Sequence, residues 1–146
     1  MSRSAPSRFA DTVHWVALVV KQDQYHTRAV AWARRPCRQI VTTEAVLIET
    51  AARLARPDVR AAGLELFESI RTKPSRYQVV PFSDDILARG WRLYADRRDK
   101  AWSLTDCLSF VVMADLGLTD ALTADDHFRQ AGFVPLLQSD PPEAAA

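Results

Sequence analysis

The chain has 146 residues, of which 48% are hydrophobic and 25% charged, with a formal net charge of +1. Those proportions describe one globular domain able to bury its own core, and they exclude a collagen-like, low-complexity or wholly disordered chain. The longest apolar stretches, 16–20 and 110–114, fall far short of the roughly 20 residues a membrane span needs, and no signal-type apolar region follows MSRSAPSRF, so a cytoplasmic location with no membrane association is expected.

In chain order, residues 8–11 read as a short strand, and 12–20 turn helical, with Val13, Val16, Ala17 and Val20 on one face. A second helix is expected over about 24–34, stopped by Pro36. Gln39-Ile40-Val41-Thr42 reads as a strand entering a helix over 43–55, and Pro57 opens another that reaches about Ile70. Tyr77 to Phe82 is β-branched and aromatic, the composition of a buried strand. Ser83 then caps a helix to about Asp96. Ser103-Leu104-Thr105-Asp106 resembles a capping box before an apolar helix over 107–116, which Gly117 stops. A short strand at 120–123, a short helix at 125–130 and a last strand at 133–137 complete the pattern, leaving SDPPEAAA as a disordered tail. The domain therefore spans 1–138 and the tail 139–146. Strands alternating with helices predict an α/β fold with a parallel sheet covered on both faces, whose ligand site lies beyond the carboxyl ends of the strands.

Cys37 and Cys107 lack the spacing of a zinc site or a disulfide framework, and Cys107, inside an apolar run, reads as a small core residue. All 19 basic residues except Lys21, Lys73 and Lys100 are arginine, yet near-neutrality deprives the skew of weight as a nucleic-acid signal.

The acids carry more. Asp11, Glu44 or Glu49, Asp106, and Asp125 or Asp126 fall at or near the junctions where the sheet would open. Carboxylates converging in a partly desolvated cleft repel one another and call for a cation, and oxygen donors without cysteine favour magnesium or manganese. Each acid also has a purely structural reading: Asp11 as a cap with Thr12, Asp106 as the acid of a capping box, and Asp126 as the same behind Thr123. Glu44 and Glu49 project about 140° apart on a helix, so they cannot both face one site.

Four segments, FADTVHWVAL (9–18), VTTEAVLIE (41–49), DKAWSLTDCLSFVVM (99–113) and ALTADDHFRQAGF (121–133), resemble the PIN-domain ribonucleases, in particular the VapC-type toxins of toxin–antitoxin systems. The most specific motifs are Trp-Ser-Leu-x-Asp-Cys and Leu-Thr-x-Asp-x-His-Phe followed by Ala-Gly-Phe. The resemblance implies a three-layer α/β/α PIN-like domain with a central, mostly parallel sheet. Carried over residue by residue, it implies catalytic acids at Asp11, Glu49, Asp106 and Asp125, with Asp11, Asp106 and Asp125 holding Mg²⁺, for which Mn²⁺ can substitute. Asp126 is then a variable neighbour, Thr105 and Thr123 are supporting hydroxyls, and Val-Leu-x-Glu after Thr-Thr selects Glu49. The implied activity is metal-dependent endonucleolytic hydrolysis of single-stranded RNA by a toxin that dimerises and is restrained by a small antitoxin protein.

Several neighbours have weaker roles. His127 reads as a locally packed residue rather than a catalyst, His14 and His26 still more so, and Trp15 and Trp102 as packing residues. Lys100 is placed either to reach a phosphate or to pair with Asp99. Arg34, Arg35 and Arg38, with Arg97 and Arg98, are candidates for a basic rim along an RNA backbone. A phosphoacceptor receiver needs adjacent acids after the first strand, and a haloacid-dehalogenase phosphatase needs Asp-x-Asp there. Ala10-Asp11-Thr12-Val13 meets neither pattern. The remaining rival is a catalytically weak PIN-like module that acts by binding a protein.

Overall fold

A computed structural model describes residues 5–143. Its elements are β1 (Arg8–Ala10), α1 (Thr12–Val19), α2 (His26–Ala33), β2 (Ile40–Thr43), α3 (Glu44–Arg53), α4 (Pro57–Thr72), β3 (Tyr77–Val80), α5 (Asp84–Asp96), α6 (Leu104–Asp115), β4 (Asp120–Leu122), α7 (Asp126–Gln130) and β5 (Val134–Pro135), closed by a 3-10 turn, Leu136–Gln138.

The helix starts follow their capping chemistry. Thr43 accepts from Val46 N (3.1 Å) and Ser83 from Ile86 N (3.1 Å), while Ser103 and Asp106 form a reciprocal capping box. That box starts α6 at Leu104, three residues earlier than the apolar run suggests. After α6, Gly117 adopts φ +66°, and Leu118 N donates back to Met113 O, a turn that needs left-handed backbone.

The strands form one sheet in the order β3-β2-β1-β4-β5, and all four pairings are parallel. The chain moves from β1 outward through β2 to β3, then returns across the sheet to β4 and β5. The strand order therefore reverses between β1 and β4, where a parallel sheet opens a crevice at its carboxyl end. α1 packs on α2, α3 and α4, whereas α6 packs on α5 and α7, and α3 also touches α6. Phe9 and Ala10 of β1 and Ala121 and Leu122 of β4 are almost wholly buried, as central strands require. Around them Phe110 meets Trp102 and Phe128 edge-on, each at 5.0 Å between ring centroids.

Two strand expectations change. Tyr77–Val80 is an edge strand, half-buried rather than buried, and it stops before Pro81, which has no N–H to continue a ladder. The last strand shortens to Val134–Pro135, because Leu136 turns into the 3-10 segment that buries Leu136 and Leu137. The segment expected to be disordered begins with two tethers: Trp32 Nε1 donates to Ser139 O (2.9 Å), and Arg28 pairs with Asp140. Residues 1–4 and 144–146 lie outside the described residues. Among the described residues no helix is long and apolar enough to cross a membrane.

Candidate active site

Asp11 is the first residue beyond β1 and the N-cap of α1, but its side chain makes no cap hydrogen bond. Instead its Oδ2 accepts the Thr123 hydroxyl at 3.0 Å. Thr123 follows β4, whose Ala121 is in register with Phe9, so strand pairing brings together residues 112 apart in sequence. The Thr123 hydroxyl also accepts from Asp125 N (3.0 Å), which ties the second junction acid to the first. Asp125 caps α7 by accepting from His127 N at 2.9 Å.

Asp106 comes from the other side, on the first turn of α6. Its Oδ2 accepts Ser103 N at 3.1 Å and lies 3.0 Å from His127 Nδ1. His127 Nδ1 is also 3.3 Å from Asp125 Oδ1. Ligand atoms of Asp106, Asp125 and His127 all lie within 4.8 Å of one another. His127, read from the sequence as a packing residue, thus sits inside the acid cluster. The available signal was its place two residues after Asp125 on a first helical turn, which aims a side chain back toward the cap.

Electrostatics mark the same place. Burial pushes the Asp11 carboxyl up to about 7, and the charges of Asp106 and Glu49 add to that rise while the Thr12 amide and Thr123 hydroxyl oppose it. Burial also raises Asp106, against the Ser103 amide and His127, with Asp125 adding repulsion. Among the described residues, no lysine or arginine pairs with Asp11, Glu49, Asp106 or Asp125. Thr12 Oγ1, beside Asp11, is buried without a hydrogen-bond partner. A crowded set of oxygen donors that no lysine or arginine balances suits a hard divalent ion. The side chains of Asp125 and His127 keep 30% and 28% of their surface exposed, so the cluster is open to solvent.

The glutamates separate as their helical angle requires. The charge of Glu49 acts on Asp11, whereas Glu44 Oε1 accepts Phe82 N at 2.7 Å, on the loop after β3. Asp126 pairs with Arg129 at 3.0 Å, outside the cluster. The arginines expected as one basic rim lie apart. Arg34, Arg35 and Arg38 precede the amino end of β2, opposite the crevice, where Arg35 reaches Pro142 O. Arg97 takes Asp99 in two hydrogen bonds, 3.0 and 2.9 Å, and holds that carboxyl down to about 2, so the Asp99–Lys100 pairing is replaced. Trp15 and Trp102 are buried packing residues. Cys107 is buried, with its thiol pushed up to about 11 by desolvation, and offers no nucleophile.

A doubly wound parallel sheet with acids gathered where the strand order reverses is the architecture of a metal-dependent PIN-type nuclease. The PIN-domain model matches residues 8–134, and the chain belongs to the PIN-domain family, whose nucleases generally use a divalent metal. The 23S rRNA-specific endonuclease VapC20 of Mycobacterium tuberculosis is 31% identical over 132 residues, covering 86% of this chain and 95% of the relative, with the same figures in two strains. The crystal structure of Mycobacterium tuberculosis VapC20, a sarcin-ricin loop cleaving toxin, superposes with a TM-score of 0.76 at 28% identity, covering 86% of this chain and 95% of that one. FitAcB from Neisseria gonorrhoeae superposes with a TM-score of 0.62 at 20% identity, over 87% of this chain and 94% of that one, and shares the fold.

Proposed function

We propose that this protein is a Mg²⁺-dependent endoribonuclease, with Mn²⁺ as a possible substitute, that hydrolyses phosphodiester bonds of single-stranded RNA as the toxin of a type II toxin–antitoxin pair. The observation that carries the reading is the cluster of Asp11, Asp106 and Asp125, balanced by no lysine or arginine among the described residues, with Glu49 beside it, at the reversal of a PIN-domain sheet. A toxin of this class is held by a small antitoxin protein and forms a homodimer. Similarity to a toxin of 28% identity supports that context.

Asp11, Asp106 and Asp125 would hold the metal. Bound there, the ion supplies a Lewis acid for the scissile phosphate and lowers the pKa of an attacking water. The remaining work falls to the chain. Thr123 fixes Asp11 and orders the backbone of Asp125, and the Ser103 amide fixes Asp106. His127 turns the Asp106 carboxylate when Nδ1 carries its proton. Glu49 takes or orients the proton of the water, the one acid of the set left free for that task.

The test is cleavage of single-stranded RNA with and without chelator. Mg²⁺ or Mn²⁺ supports cleavage and excess EDTA stops it; cleavage that continues in EDTA, in a preparation free of other nucleases, sinks the mechanism. A second test separates the glutamates. Glu49→Gln lowers the cleavage rate about 100-fold or more, while Glu44→Gln, whose amide oxygen can still accept Phe82 N, keeps activity and melting temperature. The opposite ranking would overturn the assignment to Glu49 and move the proton transfer to the Glu44 face of α3.

A further inference from the structure

Beside the acid cluster lies a cavity of about 670 Å³ whose wall is both aromatic and basic: Trp91, Tyr94, Arg97, Arg98, Lys100 and Ser103 line it. Trp91 and Tyr94, on one face of α5, are 54% and 48% exposed and meet edge to face, 5.8 Å between centroids at 89°. They are not core residues that spilled outward. The core side of α5 is held by Gly90, buried so closely on α6 that a Cβ there would come within 2.5 Å of Leu108 Cδ2. That contact seats α5 closely on α6, and Trp91 and Tyr94 flank it with their rings half exposed.

The cations are unequally engaged. Arg97 is taken up by Asp99 and lies over the Trp102 ring at 5.0 Å, while Arg98 and Lys100 pair with no acid among the described residues. The wall is continuous with the candidate active site. Ser103 at its edge donates its amide to Asp106, and Trp102 Nε1 donates to Gln130 Oε1 (3.0 Å) at the end of α7, the helix capped by Asp125. Exposed π-faces next to unpaired cations suit a single-stranded nucleic acid, because every base has a face to stack and every linkage carries a negative charge. The volume falls within the range that accepts a small organic ligand of nucleotide size.

We propose that this cavity is a subsite for a nucleotide flanking the scissile bond: an unpaired base stacks on Trp91 or Tyr94, and its phosphate is met by Arg98 and Lys100. The proposal rests on the endoribonuclease reading and says where the RNA runs beyond the reacting phosphate.

Trp91 makes it measurable. Trp15 and Trp32 are buried and do not line the cavity, and Trp102, which borders it, is only 6% exposed, so a stacking base meets the ring of Trp91, and the part of the quench lost in a Trp91 variant is the part that Trp91 reports. The probe is a short single-stranded RNA titrated in EDTA, which keeps binding separate from cleavage. RNA is expected to quench the wild-type emission. Trp91→Leu removes the quench and weakens affinity roughly tenfold or more, whereas Trp91→Phe loses the quench but keeps most of the affinity. Lys100→Ala weakens binding and reduces the salt slope by about one charge. In Mg²⁺, Trp91→Leu raises KM with kcat little changed. Absence of quenching in the wild type, or wild-type affinity in Trp91→Leu, overturns the subsite even if cleavage is intact. A smaller oligomer of Trp91→Leu by light scattering, with unchanged RNA affinity, overturns it as well and gives the patch to a second copy of the chain. Quenching by RNA in a protein that cleaves none refutes the nuclease reading and, with it, the place of this cavity beside a scissile bond, leaving only a stacking site for single-stranded RNA.

Discussion

Asp106→Asn is expected to lower RNA cleavage by about two to four orders of magnitude without lowering the melting temperature of the metal-free protein by more than a few degrees. Two roles of one carboxylate set these magnitudes. Asp106 closes the capping box of α6, and a cap is worth about 1 kcal/mol. An asparagine at that position retains an oxygen that can accept Ser103 N. The same residue is a buried acid whose carboxyl is raised by desolvation and by Asp125, so removing its charge relieves repulsion and offsets the weakened cap. Loss of a metal ligand has no such offset in the cleavage rate. Parallel measurement of melting in EDTA and cleavage in excess Mg²⁺ separates the roles. A destabilised Asp106→Asn protein with full activity would make the residue a cap alone.

Asp11→Asn is expected to stabilise the metal-free protein at high pH and to lose the stabilisation that Mg²⁺ gives the wild type. The folded protein holds the Asp11 proton up to about pH 7, whereas an ordinary aspartate releases it near 3.8. Between those values the folded state binds more protons than the unfolded one, so this residue's contribution to stability falls as pH rises and is lost above 7. His14 runs the other way. Wholly buried, with neither ring nitrogen hydrogen-bonded, it is pushed down to about 3 by desolvation, with Arg8 adding to the effect, so it costs stability as pH falls below 6.5. The two contributions largely cancel between pH 4 and 6.5, and the wild-type melting curve alone hides them. The difference between Asp11→Asn and wild type isolates Asp11: smallest near the ordinary aspartate value of 3.8 in EDTA, growing as pH rises towards 7, and roughly 5 °C or more in favour of the variant at pH 8. Excess Mg²⁺ at pH 8 reverses the order, since it stabilises only the protein with the full acid set. A difference independent of pH would mean that Asp11 is ionised and balanced without metal.

Much of the site was legible because its signals are local. The serine-to-aspartate spacing at 103–106 specifies a capping box over one helical turn, and the structure contains it. The β-branched and apolar content of 40–43 reports burial on both faces of a central strand, and all four residues are buried. Asp11, Asp106 and Asp125 stand at element starts, where side chains and helix ends determine their own geometry within a few residues.

Other features depend on partners far along the chain. Tyr77–Val80 has the composition of a buried strand but becomes an edge, because strand order follows from which crossovers pack, and composition carries no such information. The same pairing decides that Arg34, Arg35 and Arg38 lie at the amino end of the sheet, away from the acids. Glu44 and Glu49 differ by a helical angle visible in the sequence, but which face meets Asp11 is decided only when α3 packs on α1. His127 joins the cluster only because β4 lies beside β1 and α6 packs on α7, which brings Asp106 and Asp125 to the same ring nitrogen, Nδ1. The sequence by itself determined the elements, their order and the acids at their ends. The tertiary structure decided which acids meet, through parallel pairing between strands some 112 residues apart, whose register is set by burying Phe9, Ala121 and Leu122 together rather than by any short-range preference.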